Sequence, residues 1–295
     1  MTTTALATVL DEASWRARAA AHAVRVDAFV APHLARRGSA VKHPVHDFLL
    51  TYYSQRPAQL RRWHPGYGVA LAGADEYAGL KGYGADPVTV TTAYVASQRP
   101  LLESLHRLLT ATASRAPTYG CFGLHEWAMV YRQEETRHEW PLRLGPNGTD
   151  AVVESHRIGC SHFDAFRFFT PEAVPLNRLA PTRESQPALE QPGCLHATMD
   201  LYKWALKLGP GVPGELLLDT FELARDVRVV DMQASPYDVS SYGLAPVAIE
   251  TPEGKAEYVR HQRAFAERGA ALRERLLAAC AAVVDAAGLT ATASR

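Results

Sequence analysis

Apolar positions recur at helical spacing along most of this chain. Trp15, Ala19, Ala23, Val26, Phe29 and Val30 share one face of residues 14–37, with Ser14 placed to cap the helix. A second helix is expected from His43, with Pro44 in its first turn and Phe48, Leu49, Tyr52 and Tyr53 along it. Leu101, Leu102, Leu105, Leu108 and Leu109 make 98–114 amphipathic. Leu195, Met199, Tyr202 and Leu206 line one face of 195–208, and Leu217, Phe221 and Ala224 mark 213–230. Thr251-Pro252-Glu253 opens a long terminal helix, 252–287, with acids near its positive end.

Breakers divide these segments. Residues 64–87 hold six glycines and Pro87, which reads as a loop. Residues 171–192 contain five prolines and read as irregular chain, and Leu144 to Thr149 (LGPNGT) as a turn. The strand signal is weak. Val152 to His156 suggests a strand, whereas Phe163, Phe166 and Arg167 suit a helix, so one small sheet is allowed near 150–170. The pattern predicts a mainly α protein: a flexible tail over 1–10, then a single globular domain over 11–290 with long ordered Pro/Gly-rich loops.

Composition narrows the classes. With 47% hydrophobic residues, disorder of the whole chain is excluded. The 295 residues suit one large domain or two of roughly 100–200 residues each. Lys and Arg (31) balance Asp and Glu (31), so net charge makes no case for nucleic acid. Cys121, Cys160, Cys194 and Cys280 form no CxxC pair. No secretory leader opens the chain, and no apolar run approaches the ~18 residues of a membrane span. A cytoplasmic protein with reduced thiols and no membrane partner is expected.

Histidine placement points to chemistry. Nine of the twelve lie between His43 and His196, several beside carboxylates: His46-Asp47, His125-Glu126, Glu154-Ser155-His156 and His162-Phe163-Asp164. Imidazole with carboxylate is the ligand set of zinc or non-haem iron, and also the general acid–base set. His125-Glu126 begins an HExxH motif, but Met129 fills its last position. The zinc deaminase signature is missing. His162-x-Asp164 with His196 matches the residue types of a two-histidine, one-carboxylate iron site, although that spacing belongs on β-barrels.

Aromatic residues are dense nearby: Tyr52-Tyr53, Trp63-His64, Phe122 with Trp127, and the phenylalanines of 163–169. Tyr52, Tyr53 and Trp127 are the candidates to sandwich a flat ring, since their polar ends need partners when buried. Arg56, Arg61 and Arg62 form the most basic stretch, suited to phosphate, a carboxylate or plain solvation. The Gly209 to Gly214 stretch with Asp231 downstream faintly resembles a DNA-binding hairpin, but helix punctuation accounts for it better.

Five blocks occur together: HPVHDFLLTYYSQRPAQLRRWHPG (43–66), GCFGLHEWAMVYR (120–132), CSHFDAFRFFTPEAVPLN (160–177), EQPGCLHATMDLYKWA (190–205) and SPYD…IETPEGKAEYV (235–259). With them the chain resembles, over nearly its whole length, actinobacterial proteins of similar size that carry the label 3-methyladenine DNA glycosylase. The resemblance implies hydrolysis of the N-glycosidic bond of an alkylated purine in DNA, without a metal. Glu126 or Asp164 would then be the catalytic carboxylate, Tyr52, Tyr53 and Trp127 the base slot, and Arg56, Arg61 and Arg62 the phosphate clamp. The residues alone also allow a metal enzyme, iron or zinc, acting on a small molecule. In that case His125, His156, His162 and His196 would be ligands with Asp164 or Glu126. A non-enzymatic ligand-binding protein is the third possibility.

Overall fold

Asp11 starts the first helix. Its carboxylate accepts hydrogen bonds from the Ser14 backbone N–H (2.8 Å) and hydroxyl (2.7 Å), so Asp11 is the cap and Ser14 its partner. The computed structural model describes residues 8–136 and 138–286. Residues 1–7 of the expected tail lie outside them.

The helices follow in chain order. They are α1 (Glu12–Gly38), α2 (Phe48–Tyr52), α3 (Pro57–Arg61), α4 (Asp75–Ala78), α5 (Thr92–Ser97), α6 (Arg99–Ala113), α7 (Leu124–Ala128), α8 (Gly145–Ser155), α9 (Phe163–Phe166), α10 (Gln186–Leu189), α11 (Leu195–Leu208), α12 (Gly214–Gln233) and α13 (Pro252–Ala286). The protein is mainly α, as the apolar spacing predicts. Among the described residues, no helix is long and apolar enough to cross a membrane.

Among the described residues, the single small sheet lies elsewhere than expected. It joins β1 (Thr8–Leu10), β2 (Val69–Leu71), β3 (Tyr83–Ala85) and β4 (Val88–Val90) in the order β1-β2-β4-β3. Leu10 pairs with Leu71 in a parallel ladder, and the other two ladders are antiparallel. Part of the expected tail is therefore ordered strand, and the glycine-rich stretch 64–87 supplies two strands. Three-residue strands are too short to show alternation, while their glycines read as turns. Residues 150–170 hold α8 and α9 instead. Pro146 sits in the first turn of α8, and Val152 and Val153 are buried, so the expected turn at 144–149 starts a helix.

The chain divides into two compact units. The first uses residues up to Thr110, Leu201–Glu222 and those from Leu272 onward; the second uses Ala111–Asp200 and Leu223–Ala271. The sheet belongs to the first unit. The second unit packs α7 and α8 with parts of α11, α12 and α13, around Trp127, Ile158, Leu223, Val227, Met232 and Tyr258, all essentially inaccessible. Trp127 satisfies its indole N–H on the Ala234 carbonyl (2.9 Å).

Candidate metal centre

The site grows from α7 in the second unit. Phe122 (φ 49°) and Gly123 (φ 72°) both adopt left-handed backbone just before it. That conformation is costly for phenylalanine, of order 1–3 kcal/mol, and persists only where surrounding packing enforces it. A Cβ at Gly123 would press on the Tyr258 ring at 3.3 Å. The double turn carries the chain from Cys121 into α7, all five residues of which are buried.

His125 leaves α7 toward α12. Its Nε2 lies 2.9 Å from Asp231 Oδ1, and its Nδ1 lies 3.7 Å from Cys121 Sγ. His196, at the start of α11, packs edge-on against His125 with ring centroids 4.4 Å apart. One ligand atom from each of His125, His196 and Asp231 falls within 4.8 Å of the others. Two ligands bound tetrahedrally to one ion at ~2.1 Å lie about 3.4 Å apart, so the widest pair would close by up to about 1.4 Å as the ion binds.

Asp231 is held from its other side. Arg228 Nη1 donates to Asp231 Oδ2 (2.7 Å) and to Glu126 Oε1 (3.2 Å). His162 stacks on His196 with ring centroids 5.3 Å apart. Its Nε2 is 3.2 Å from Asp200 Oδ2 and 3.7 Å from Glu190 Oε2, though not aligned for a hydrogen bond. Gln186 Nε2 donates to Glu190 Oε2 (2.7 Å).

These neighbours set the charges. Burial alone would lower the pKa of His125, but the charge and hydrogen bond of Asp231 prevail and raise it well above the ordinary value. Burial would raise Asp231, yet His125 and Arg228 hold it below the usual carboxylate range. Burial, with help from His125, pushes His196 down to about 3, which leaves a neutral imidazole with a free lone pair. Burial and repulsion from Asp231 raise Glu126, against the pull of Arg228.

The His125 and His196 imidazoles open onto a cavity of about 180 Å³. Its wall includes Cys121, Arg157, Cys160, Ser161, Arg178, Gln191, Cys194, Tyr258 and Gln262. Burial raises the thiols of Cys160 and Cys194 above their ordinary pKa. All four cysteines are unpaired.

No family model, curated protein or solved structure matches the chain.

The candidates read from the sequence separate clearly. His125 and His196 meet, His162 stacks beside them, and Glu126 joins through Arg228. His156 does not line the cavity; its Nδ1 bonds the Val152 carbonyl at the end of α8 (2.6 Å). Asp164, the carboxylate expected beside His162, pairs with Arg183 (2.8 Å) and Arg167 (3.5 Å). Trp127 is fully buried, and no face of it borders the cavity. Tyr52, Tyr53, Arg56, Arg61 and Arg62 belong to the first unit. There Tyr53 packs edge-on against Tyr202, Arg61 pairs with Asp27 (2.8 Å), and Tyr52 is exposed.

Asp231, Cys121, Tyr258 and Gln262 were not singled out as site residues from the sequence. The only local signal for the last two was a pair of polar residues one helical turn apart on a long helix.

Proposed function

We propose that this protein is a metal-dependent enzyme acting on a small molecule, with His125, His196 and Asp231 as ligands of one transition-metal ion. The convergence of a carboxylate on two imidazoles that themselves line a cavity carries the reading. Two histidines and one carboxylate leave coordination positions open, a set that suits non-haem iron(II) and also accommodates zinc. Such an ion would act as a Lewis acid or redox centre facing the cavity.

The surrounding residues suit that role. The Asp231–Arg228 hydrogen bond fixes the carboxylate, as outer partners do around bound metals. Cys121 Sγ faces the second nitrogen of His125 and would fix its tautomer. Burial keeps His196 neutral, so it would bind without first losing a proton. Four unpaired thiols favour a reducing, cytoplasmic setting.

Glycosylase chemistry on alkylated DNA stands second. It rests on the resemblance alone, and none of the residues proposed for it borders the cavity.

The test is metal analysis of full-length protein produced with added iron or zinc. The expected result is about one equivalent, lost in His196→Ala and Asp231→Asn; less than about 0.1 equivalent in the parent protein overturns the reading. Release of base from DNA carrying 3-methyladenine, abolished by Glu126→Gln, would favour the glycosylase instead.

A further inference from the structure

We infer that the cavity beside the metal centre binds a small oxyanion that also carries a hydroxyl or amine. The anionic end would pair with Arg157 and Arg178, and the donor group would meet Gln262. The inference names the substrate class for the metal enzyme proposed above and rests on that reading for catalysis, though not for binding.

The wall itself is the first observation. It presents Arg157, Arg178, His125 and His196, and no aspartate or glutamate borders the cavity among the described residues. Elsewhere this protein pairs its arginines freely: Arg143 with Glu250, Arg61 with Asp27, Arg132 with Glu154. Arg157 and Arg178 have no such carboxylate partner among the described residues. A guanidinium presents a planar fork that matches carboxylate or phosphate, and two of them at one cavity select an anion.

The second observation is independent of charge. Tyr258 and Gln262, one turn apart on α13, are both fully buried at the same wall. The Tyr258 hydroxyl and Gln262 Oε1 lack hydrogen-bond partners, while Gln262 Nε2 is fixed on the Gly193 carbonyl (3.1 Å). That fixed amide turns an acceptor oxygen free, so the ligand must supply an O–H or N–H. An unmatched buried polar group costs about 1–3 kcal/mol, which a ligand bearing the right donor would recover.

Size sets the third limit. At ~30 Å³ per water, the 180 Å³ cavity has room for about six waters. A compact hydroxy- or amino-acid fits that space.

The experiment is calorimetric titration of the full-length protein, both as metal-loaded and as chelator-stripped samples. The probes form matched pairs: L-lactate against neutral lactamide, and L-malate against succinate, which lacks the hydroxyl. Inorganic phosphate is the third arm. The expected result is that lactate and malate bind at least about tenfold more tightly than lactamide and succinate. An Arg157→Gln/Arg178→Gln double variant should lose that preference for charge. Both arginines are exposed, so an unchanged melting temperature confirms that the variant is folded. Gln262→Met, which removes the acceptor oxygen, should abolish the preference for malate over succinate. Phosphate binding more tightly than either carboxylate keeps the oxyanion and names phosphate as its source. No binding by any anion, or binding that the double variant leaves intact, overturns the inference. Metal content measured on the same samples separates the two proposals, since metal without anion fails only this one and anion without metal fails only the other.

Discussion

Arg228 and Asp231 face each other one turn apart on α12, with Nη1 2.7 Å from Oδ2 and both side chains buried. The same guanidinium reaches Glu126 at 3.2 Å. Removing the cation leaves two buried carboxylates without it, a change that typically costs 3–5 kcal/mol. Arg228→Met is therefore expected to lower urea stability by about that amount. Adding Glu126→Gln should recover part of it. A loss under about 1 kcal/mol would show that the carboxylates do not depend on Arg228.

Cys121 lies at the cavity wall and faces His125. Its Sγ lies 3.7 Å from Nδ1, on the opposite side of the ring from Asp231. Outer partners of this kind are worth about 10–100-fold in metal affinity. Cys121→Ala is expected to weaken metal binding about tenfold, with Cys121→Ser nearer the parent, as read by chelator competition. Equal affinity in all three proteins would remove Cys121 from that role.

Acid stability is expected to depend on Asp47 in the first unit. Burial would raise its pKa, but hydrogen bonds from Arg36 and from His33 (2.9 Å) prevail and hold it at about 2, against 3.8 for the free side chain. A depressed carboxylate stabilises the fold above its unfolded pKa, and the effect fades as pH falls through the folded one. At about 1.4 kcal/mol per unit the contribution is about 2 kcal/mol at neutral pH. The stability gap between the parent and Asp47→Asn should therefore stay constant down to about pH 4 and close by about pH 2. Denaturant titrations across that range check it, and a gap that does not vary with pH contradicts it.

Gly193 fixes part of the cavity wall. A Cβ there would meet the Thr118 carbonyl at 2.4 Å. The Gln191 side chain bridges both residues, accepting from the backbone N–H of Gly193 (2.7 Å) and Thr118 (2.8 Å). Gly193→Ala should destabilise by about 1–3 kcal/mol through forced backbone displacement. It should also move Gln262, whose amide rests on the Gly193 carbonyl, and so weaken ligand binding. Thermal melts and titration together test it.

The sequence made the helices legible because their apolar stripes are long: α1, α6, α11 and α13 fall close to where periodicity places them. The sheet was hidden in strands of three residues among glycines, where alternation has no length in which to appear. At the site, the crowding of histidines beside carboxylates pointed to His125, His162 and His196. It also favoured sequence neighbours, and so Asp164 stood in for the carboxylate. The true neighbour, Asp231, lies 106 residues from His125, and only tertiary packing joins them. Arg178 was silent for the same reason, since an arginine shows its lack of a partner only once its surroundings are known.

The three proposed ligands also arrive in a fixed order during synthesis. His125 and His196 are both on the chain before α12 exists, yet Asp231 sits near the end of that helix. A nascent or truncated polypeptide ending before it would carry two imidazoles and no carboxylate between them. Binding of an ion by all three side chains would thus require a polypeptide that extends through α12, and shorter fragments would compete poorly for the cell's supply of metal.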